Sequence, residues 1–382
     1  MNTNNYFKTY TTILDIKKPE WDSCNKKGNI FLSHSFLYLL ESSGCLSEDT
    51  GWSPIYFALY NSNKLIACAP CYIKMHSQGE YVFDHAWANA YKSVGLNYYP
   101  KLLIASPFTP VSGMRILALE KEALTNKQLL LKEIKEYCKK NKYSGLHINF
   151  FDESELNFLK DNDFIIRVGE QFHFYNKGYS SFQNFLVDLS YKKRKNILKE
   201  RNSILKSEIE IEVLRKKDID YKVCQLMYEF YINTIQKKWS YDYLNIDFFL
   251  GLPKLIKENI IIIVAKKNNK IIASSLNFIS NNMLFGRYWG ATDKFSNLHF
   301  ELCYYKPIEI AIDLGLDKVE AGAQGAHKIQ RGYLPYETYS AHYLLNNDLH
   351  NAIKKYVSEE KKVVNQEINF IKEKLSPYKK QP

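Results

Sequence analysis

With 382 residues, 46% of them hydrophobic and 15% aromatic, the chain is too long for one hydrophobic core and too apolar for a disordered tail, so two folded domains are expected. Lysine and arginine outnumber aspartate and glutamate by 52 to 41, a net charge of +11 that favours an anionic partner: a nucleotide, a phosphorylated cofactor, RNA or an acidic lipid. An AT-rich genome would raise the lysine content in the same way, so position along the chain has to decide.

The longest purely apolar run, 260–265, falls far short of the roughly 20 residues that span a bilayer, and residues 1–16 contain no continuous apolar stretch of the kind a secretory signal needs. The 7 cysteines are odd in number and scattered, which fits a reducing compartment and not a disulfide framework; the expected location is the cytoplasm. Cys68 and Cys71 have the spacing of a metal or redox pair, but they lie in a segment, 64–74, that reads as a strand. Residues three apart on a strand point to opposite faces, so no metal site is expected there.

The first half opens with a helical stretch, 33–43, followed by a hairpin, 56–67, turning through Asn and Lys. An aromatic strand is expected over 79–84. Asp84 within it, with Trp87 close by, would be costly to bury unless paired or placed at a cleft, which makes it a candidate substrate contact. A helix over 126–140, with Leu129, Leu130, Ile134 and Cys138 on one stripe, precedes a strand over 145–150. His173, in the aromatic strand that closes this half, reads as a packed core histidine.

Residues 181–206 form a helical connector in which Lys192, Lys193, Arg194, Lys195, Lys199 and Arg201 crowd into 192–201, a block whose only acidic residue is Glu200. Such a block repels itself unless phosphates lie across it, so Lys193, Arg194 and Lys195 are candidate ligands for the anionic part of a substrate. In the second half a helix over 246–258, interrupted at Pro253, leads into a hairpin, 262–273, that matches the first: Asn63, Lys64, Ile66 and Ala67 recur as Asn269, Lys270, Ile272 and Ala273. A helix over 300–314 and a strand over 317–321 repeat the order of the first half, and the tail, 347–375, carries Ala352, Tyr356, Val364, Ile368, Ile371 and Leu375 as an amphipathic helix. The expected fold is therefore α/β, with the domains 1–180 and 207–382 joined by 181–206.

Titratable groups are densest from Glu320 to Arg331. Gly322 and Gly325 allow close backbone approach, Glu320 or His327 can take a proton from an attacking amine, Lys328 and Arg331 can clamp phosphate or carboxylate, and Gln324 adds an amide. The spacing matches neither a dinucleotide fingerprint nor a phosphate-binding Walker loop. Just upstream, His299 and Glu301 open a helix whose N-terminal amides would favour an anion; no three-ligand zinc spacing is present.

Several of these segments in this order resemble the FemAB-like family, labelled peptidoglycan biosynthesis/recognition or N-acyltransferase: 79–84 with Trp87 and Ala88, 99–102, 107–111, 171–173, 193–197, 299–301, 322–328 and 339–342. The resemblance covers nearly the whole chain. Phe174 stands where the pattern usually has Trp, and Leu198 where it usually has Arg. It implies two GNAT-like domains in tandem, each a mixed sheet flanked by helices. It also implies transfer of an acyl or aminoacyl group from acyl-CoA or aminoacyl-tRNA to an amine, with a nucleotide-linked cell-wall precursor or tRNA as possible partners and no tightly bound cofactor. No cysteine lies in the 320–331 loop, so direct attack in a ternary complex is expected, without a covalent enzyme intermediate. The competing expectation is a non-catalytic module that binds a cell-wall precursor or RNA through the basic connector.

Overall fold

The computed structural model describes residues 4–237, 241–322 and 325–379. The chain divides into two compact units, Met1–Gly169 with Glu337–Asn365, and Glu170–Tyr336 with Gln366–Pro382. The boundaries expected at 180 and 206 follow the chain, whereas each compact unit takes a segment from the other half.

The strands explain this. In the first unit β1 (Asn5–Tyr10), β2 (Trp52–Asn61), β3 (Lys64–Lys74), β4 (Lys101–Ile104) and β6 (Gly145–Asn149) lie side by side, with the short β5 (Leu117–Ala118) paired to β3. The next strand in sequence, β7 (Ile165–Tyr175), runs past Gly169 into the second unit. There it joins β8 (Glu210–Arg215), β9 (Ile260–Lys267), β10 (Lys270–Ser280), β11 (Met283–Ala291) and β12 (Lys318–Glu320). The last strand, β13 (Leu334–Leu344), pairs with β6 in the first unit.

Pairing directions match strand for strand. β1 with β2, β2 with β3 and β3 with β4 are antiparallel, β4 with β6 parallel, and β6 with β13 antiparallel. In the second unit β8 with β9, β9 with β10 and β10 with β11 are antiparallel, β11 with β12 parallel, and β12 with β7 antiparallel. The two hairpins read from the sequence, β2–β3 and β9–β10, thus occupy equivalent places, and the final strands are exchanged. The hairpin turns differ in detail: Asn268 and Asn269 supply the positive φ in the second, Ser62 in the first.

Local signals place the helices. Ser33 caps His34–Ser42 by accepting from the Phe36 N–H, and Asn245 caps Ile246–Leu255 in the same way through Phe248. The second helix passes through Pro253 and stops two residues later, so the expected interruption is an early end. Residues 79–84, expected as a strand, form a loop, and Asp84 stands immediately before the helix His85–Ser93. The helix Ala123–Lys140 buries Leu130, Leu131, Ile134 and Cys138 but leaves Leu129 37% exposed. In Asn347–Phe370 and the turn Ile371–Leu375 that follows, Ile353, Val357, Ile368 and Ile371 are buried while Tyr356 and Leu375 face solvent, a stripe rotated from the expected one. Cys68 and Cys71 pack into different cores on opposite faces of β3, as their spacing requires. In the second unit the helix Tyr221–Lys237 crosses β11 at Gly290, where a Cβ would come within 1.9 Å of the Phe230 carbonyl oxygen.

Because β13 completes the first unit, a fragment covering 1–180 would leave β6 with an unpaired edge inside a hydrophobic core. That fragment is expected to show no cooperative thermal unfolding by circular dichroism, whereas the whole chain melts cooperatively; a cooperative melt of the fragment would contradict the exchange.

Candidate functional site

At the end of β12, Glu320 lies opposite Phe285 on β11 and His173 on β7. Its carboxylate is 1% exposed and takes two hydrogen bonds from Arg287, Nη1 to Oε1 at 2.9 Å and Nη2 to Oε2 at 2.6 Å. This fork is the strong form of a carboxylate ion pair, so Glu320 is committed to a protein partner and does not present a free base. His173 donates Nε2–H to the Gln171 amide oxygen at 3.2 Å and stacks on Tyr336 with ring centroids 4.3 Å apart. Its Nδ1 is buried with no partner, and burial, reinforced by Lys318, Arg287 and Lys328, holds the imidazole well below its ordinary pKa.

The loop after β12 turns through Gly322 into a short 3₁₀ helix, Ala326–Arg331. Within it Lys328, Ile329 and Arg331 are buried while Ala326, His327 and Gln330 are exposed. Lys328 points inward, 1% exposed, and donates from Nζ to the Gly322 carbonyl at 2.6 Å; burial pushes its ammonium down to about 8 although Glu320 pulls the other way. His327 points outward, with Nε2 2.8 Å from the Tyr304 hydroxyl and Phe300 and His299 around the ring. Burial, then Arg331 and Lys328, lower its pKa, so the imidazole is neutral near pH 7. Gly325 packs on that ring: a Cβ there would stand 2.9 Å from Nδ1 and 2.5 Å from Cε1. Gln324 lies outside the described residues.

Arg331 does not reach toward an open ligand position. Its Nη2 donates to both Glu200 oxygens at 2.8 and 3.0 Å, Nη1 donates to the His327 carbonyl at 2.7 Å, and the guanidinium lies 3.5 Å over the Phe300 ring. Glu301 is likewise occupied, accepting from Arg201 at 2.8 and 3.1 Å in a group that also holds Glu309. Burial raises the Glu301 carboxyl, and Arg201 offsets this only in part. His299 faces Trp289 and Tyr304 at 4.9 and 5.2 Å, so His299 and Glu301 do not build a shared anion site at the helix start. Lys193, Arg194 and Lys195 sit on the helix Tyr191–Leu205; Lys193 and Lys195 have no carboxylate within ion-pair distance among the described residues.

Asp84 belongs to the first unit, in a separate buried cluster. Lys101 on β4 pairs with it and with Glu80 at 2.9 Å, donates to Ser77 at 2.9 Å, and Tyr98 donates to Asp84 at 2.7 Å. Burial alone would raise the Asp84 carboxyl, but Lys101 overrides it and holds the group below the usual range. Glu80, with less compensation, is pushed up to about 7 by burial. Next to this group His147 and His342 share a hydrogen bond between their Nδ1 atoms at 2.8 Å, with the Trp87 edge against His342 at 4.6 Å. Burial lowers both, His147 to about 3. The structure therefore brings Glu320, Lys328 and His173 together, sets His327 against His299 on the outer side of the loop, and pairs Asp84 with Lys101 through Oδ2 alone. Sequence reasoning missed Arg287 and Glu200, whose partners are far away along the chain, and gave His173 a packing role only. Among the described residues no cluster of three metal-ligating side chains occurs and no helix is long and apolar enough to cross a membrane.

Each unit is a mixed sheet flanked by helices, the α/β arrangement expected from the sequence. The chain belongs to the FemAB-like family, described as peptidoglycan biosynthesis/recognition, whose pattern it matches over residues 12–380. No curated protein matches it. Among solved structures it is similar to FemX, with 12% identity, a TM-score of 0.53, and 91% of this chain and 100% of that chain covered. It is also similar to L-PGS from Bacillus licheniformis, with 10% identity, a TM-score of 0.51, and 92% and 98% covered. A conserved protein of unknown function from Bacteroides thetaiotaomicron VPI-5482 is similar at 13% identity and a TM-score of 0.51, with 88% and 99% covered.

Two measurements follow from the buried charges. Removing one member of the Glu320–Arg287 pair strands the other, so Glu320→Leu or Arg287→Met alone should cost about 3–5 kcal/mol in urea unfolding, and the double change should recover most of that loss. If the double variant is as unstable as the sum of the singles, the pair does not act as a unit. Acidification should also destabilise the fold. Below about pH 6.5 the buried imidazole of His147, held down to about 3, stays neutral when folded and gains a proton when unfolded, which subtracts about 1.4 kcal/mol per pH unit as pH falls. His342 and His173, also lowered by burial, act in the same direction. Glu80, raised to about 7, binds its proton in the folded state and acts in the opposite direction. The net is a loss, so unfolding free energy should fall from pH 6.5 to pH 5; a flat or rising profile would contradict the neutral imidazoles.

Proposed function

We propose that this protein transfers an acyl or aminoacyl group from acyl-CoA or aminoacyl-tRNA to an amine, in the cytoplasm, with a nucleotide-linked cell-wall precursor as the acceptor class. The carrying observation is the turn Ala326–Arg331, which sets a half-exposed neutral imidazole, His327, next to a buried ammonium, Lys328. An amine must lose a proton before or as its nitrogen attacks a carbonyl, and the negative charge that develops on the carbonyl oxygen needs a cation or donor nearby. With Nε2–H donated to the Tyr304 oxygen, the Nδ1 lone pair of His327 takes the amine proton. Lys328 stabilises the oxygen, the thiolate or ribose oxygen leaves, and the new bond is an amide. No enzyme-bound intermediate is required. The family description supports the choice of acceptor.

In this scheme His327 must be neutral and Lys328 charged. The acid limb of kcat/KM should therefore lie below 6.5, the ordinary imidazole value, and the alkaline limb near 8. His327→Ala should lose about 10²-fold in turnover, and Lys328→Met should remove the alkaline limb while lowering the rate. Thermal melts exclude unfolding. Full turnover in His327→Ala with a normal melt would overturn the assignment, and ligand binding with no turnover in any form would mark a binding module instead.

A further inference from the structure

The basic helix Tyr191–Leu205 in the second unit has two sides of different character. Its inner side is pinned: Ile197 and Ile204 are buried in the core, Glu200 receives Arg331, and Arg201 joins Glu301 and Glu309. Those contacts fix the rotation of the helix about its axis. On the outer side Tyr191, Leu198 and Leu205 are 70%, 39% and 73% exposed. They follow at seven-residue intervals, which keeps them on one line along the helix. Lys192, Lys195 and Lys199 are exposed along the flank of that line, as is Lys206 at the helix end, and none has a carboxylate within ion-pair distance among the described residues.

Single exposed leucines are ordinary, but a line of them flanked by unpaired lysines is the pattern of a helix lying in a membrane interface. We propose that this helix docks the protein on an anionic lipid bilayer. Tyr191, Leu198 and Leu205 enter the boundary between headgroups and acyl chains, and Lys192, Lys195, Lys199 and Lys206 lie against the lipid phosphates. Charge complementarity selects the partner. Lysines gain from an anionic surface, and their long apolar stems let the ammonium groups reach the phosphates while the leucines sit deeper. RNA would match the lysines but gives exposed leucines nothing to bury against. A second copy of the helix would bring like charges together. The proposal is independent of the transfer chemistry at His327.

The test is flotation of the full-length protein with vesicles of phosphatidylcholine alone or with about a third phosphatidylglycerol, alongside a titration with tRNA. Binding is expected to the anionic vesicles only, and to weaken with salt. Lys195→Gln with Lys199→Gln should reduce it by about tenfold or more, at about fivefold per lysine. Leu198→Asn with Leu205→Asn should reduce vesicle binding comparably while leaving tRNA affinity and the melting temperature unchanged, since these side chains support no core. Three results would each overturn the proposal: no binding of the wild-type chain to anionic vesicles, binding insensitive to the leucine changes, or a concentration-dependent dimer that the leucine changes abolish.

Discussion

The second unit depends on the way it handles charge at the end of β12. A carboxylate as buried as Glu320 is tolerable only with a matched cation, and Arg287 supplies it in a two-bond fork that ties β12 to β11 where the two run parallel. With that pair closed, the next cation inward, Lys328, has no carboxylate of its own among the described residues and rests on the Gly322 carbonyl, so burial weakens its ammonium. The following charges are matched in the same way: Arg331 by Glu200, and Arg201 by Glu301 and Glu309. Among the described residues of this group, Lys328, His327 on the outside of the loop and the bare nitrogen of His173 on the inside are left without a carboxylate partner.

The exchange of final strands gives each half a place in the other's sheet, and the two units put their buried polar groups at corresponding strands. In the first unit β6 and β13 meet at His147 and His342; in the second β12 and β7 meet at Glu320 and His173. The first pair is capped by Trp87 and surrounded by the network of Lys101, Asp84 and Glu80, with no glycine-turned loop following β6 like the one after β12. Two units with one strand arrangement thus bury different polar groups, and the second leaves His327 exposed on its loop.

The duplicated order of helix, hairpin, helix and strand was legible in the sequence because strand periodicity and turn residues are local. The loop from Glu320 to Arg331 was legible for the same reason: glycines and titratable residues stand close together there. The roles within it were not. Whether Glu320 is free or paired depends on Arg287, which lies on a neighbouring strand, and whether Arg331 clamps a ligand depends on Glu200 on a helix far upstream. The strand exchange was hidden because nothing local in 165–175 or 334–344 distinguishes pairing within a half from pairing with the other half. Leu129, Tyr356 and Leu375 show the smaller error of this kind, where helical spacing gave the right period and missed which side faces the core.

Amide formation at the loop after β12 is the reaction proposed for this protein. It is tested most directly by incubating the protein with an acyl-CoA or aminoacyl-tRNA and an amine-bearing nucleotide-linked cell-wall peptide, then looking for the product by mass spectrometry. The expected product has the mass of the acceptor plus the donor's free acid less one water, formed by the wild-type chain and suppressed in His327→Ala. Bound but unchanged substrates with every donor, or equal product from the His327→Ala chain, would contradict it.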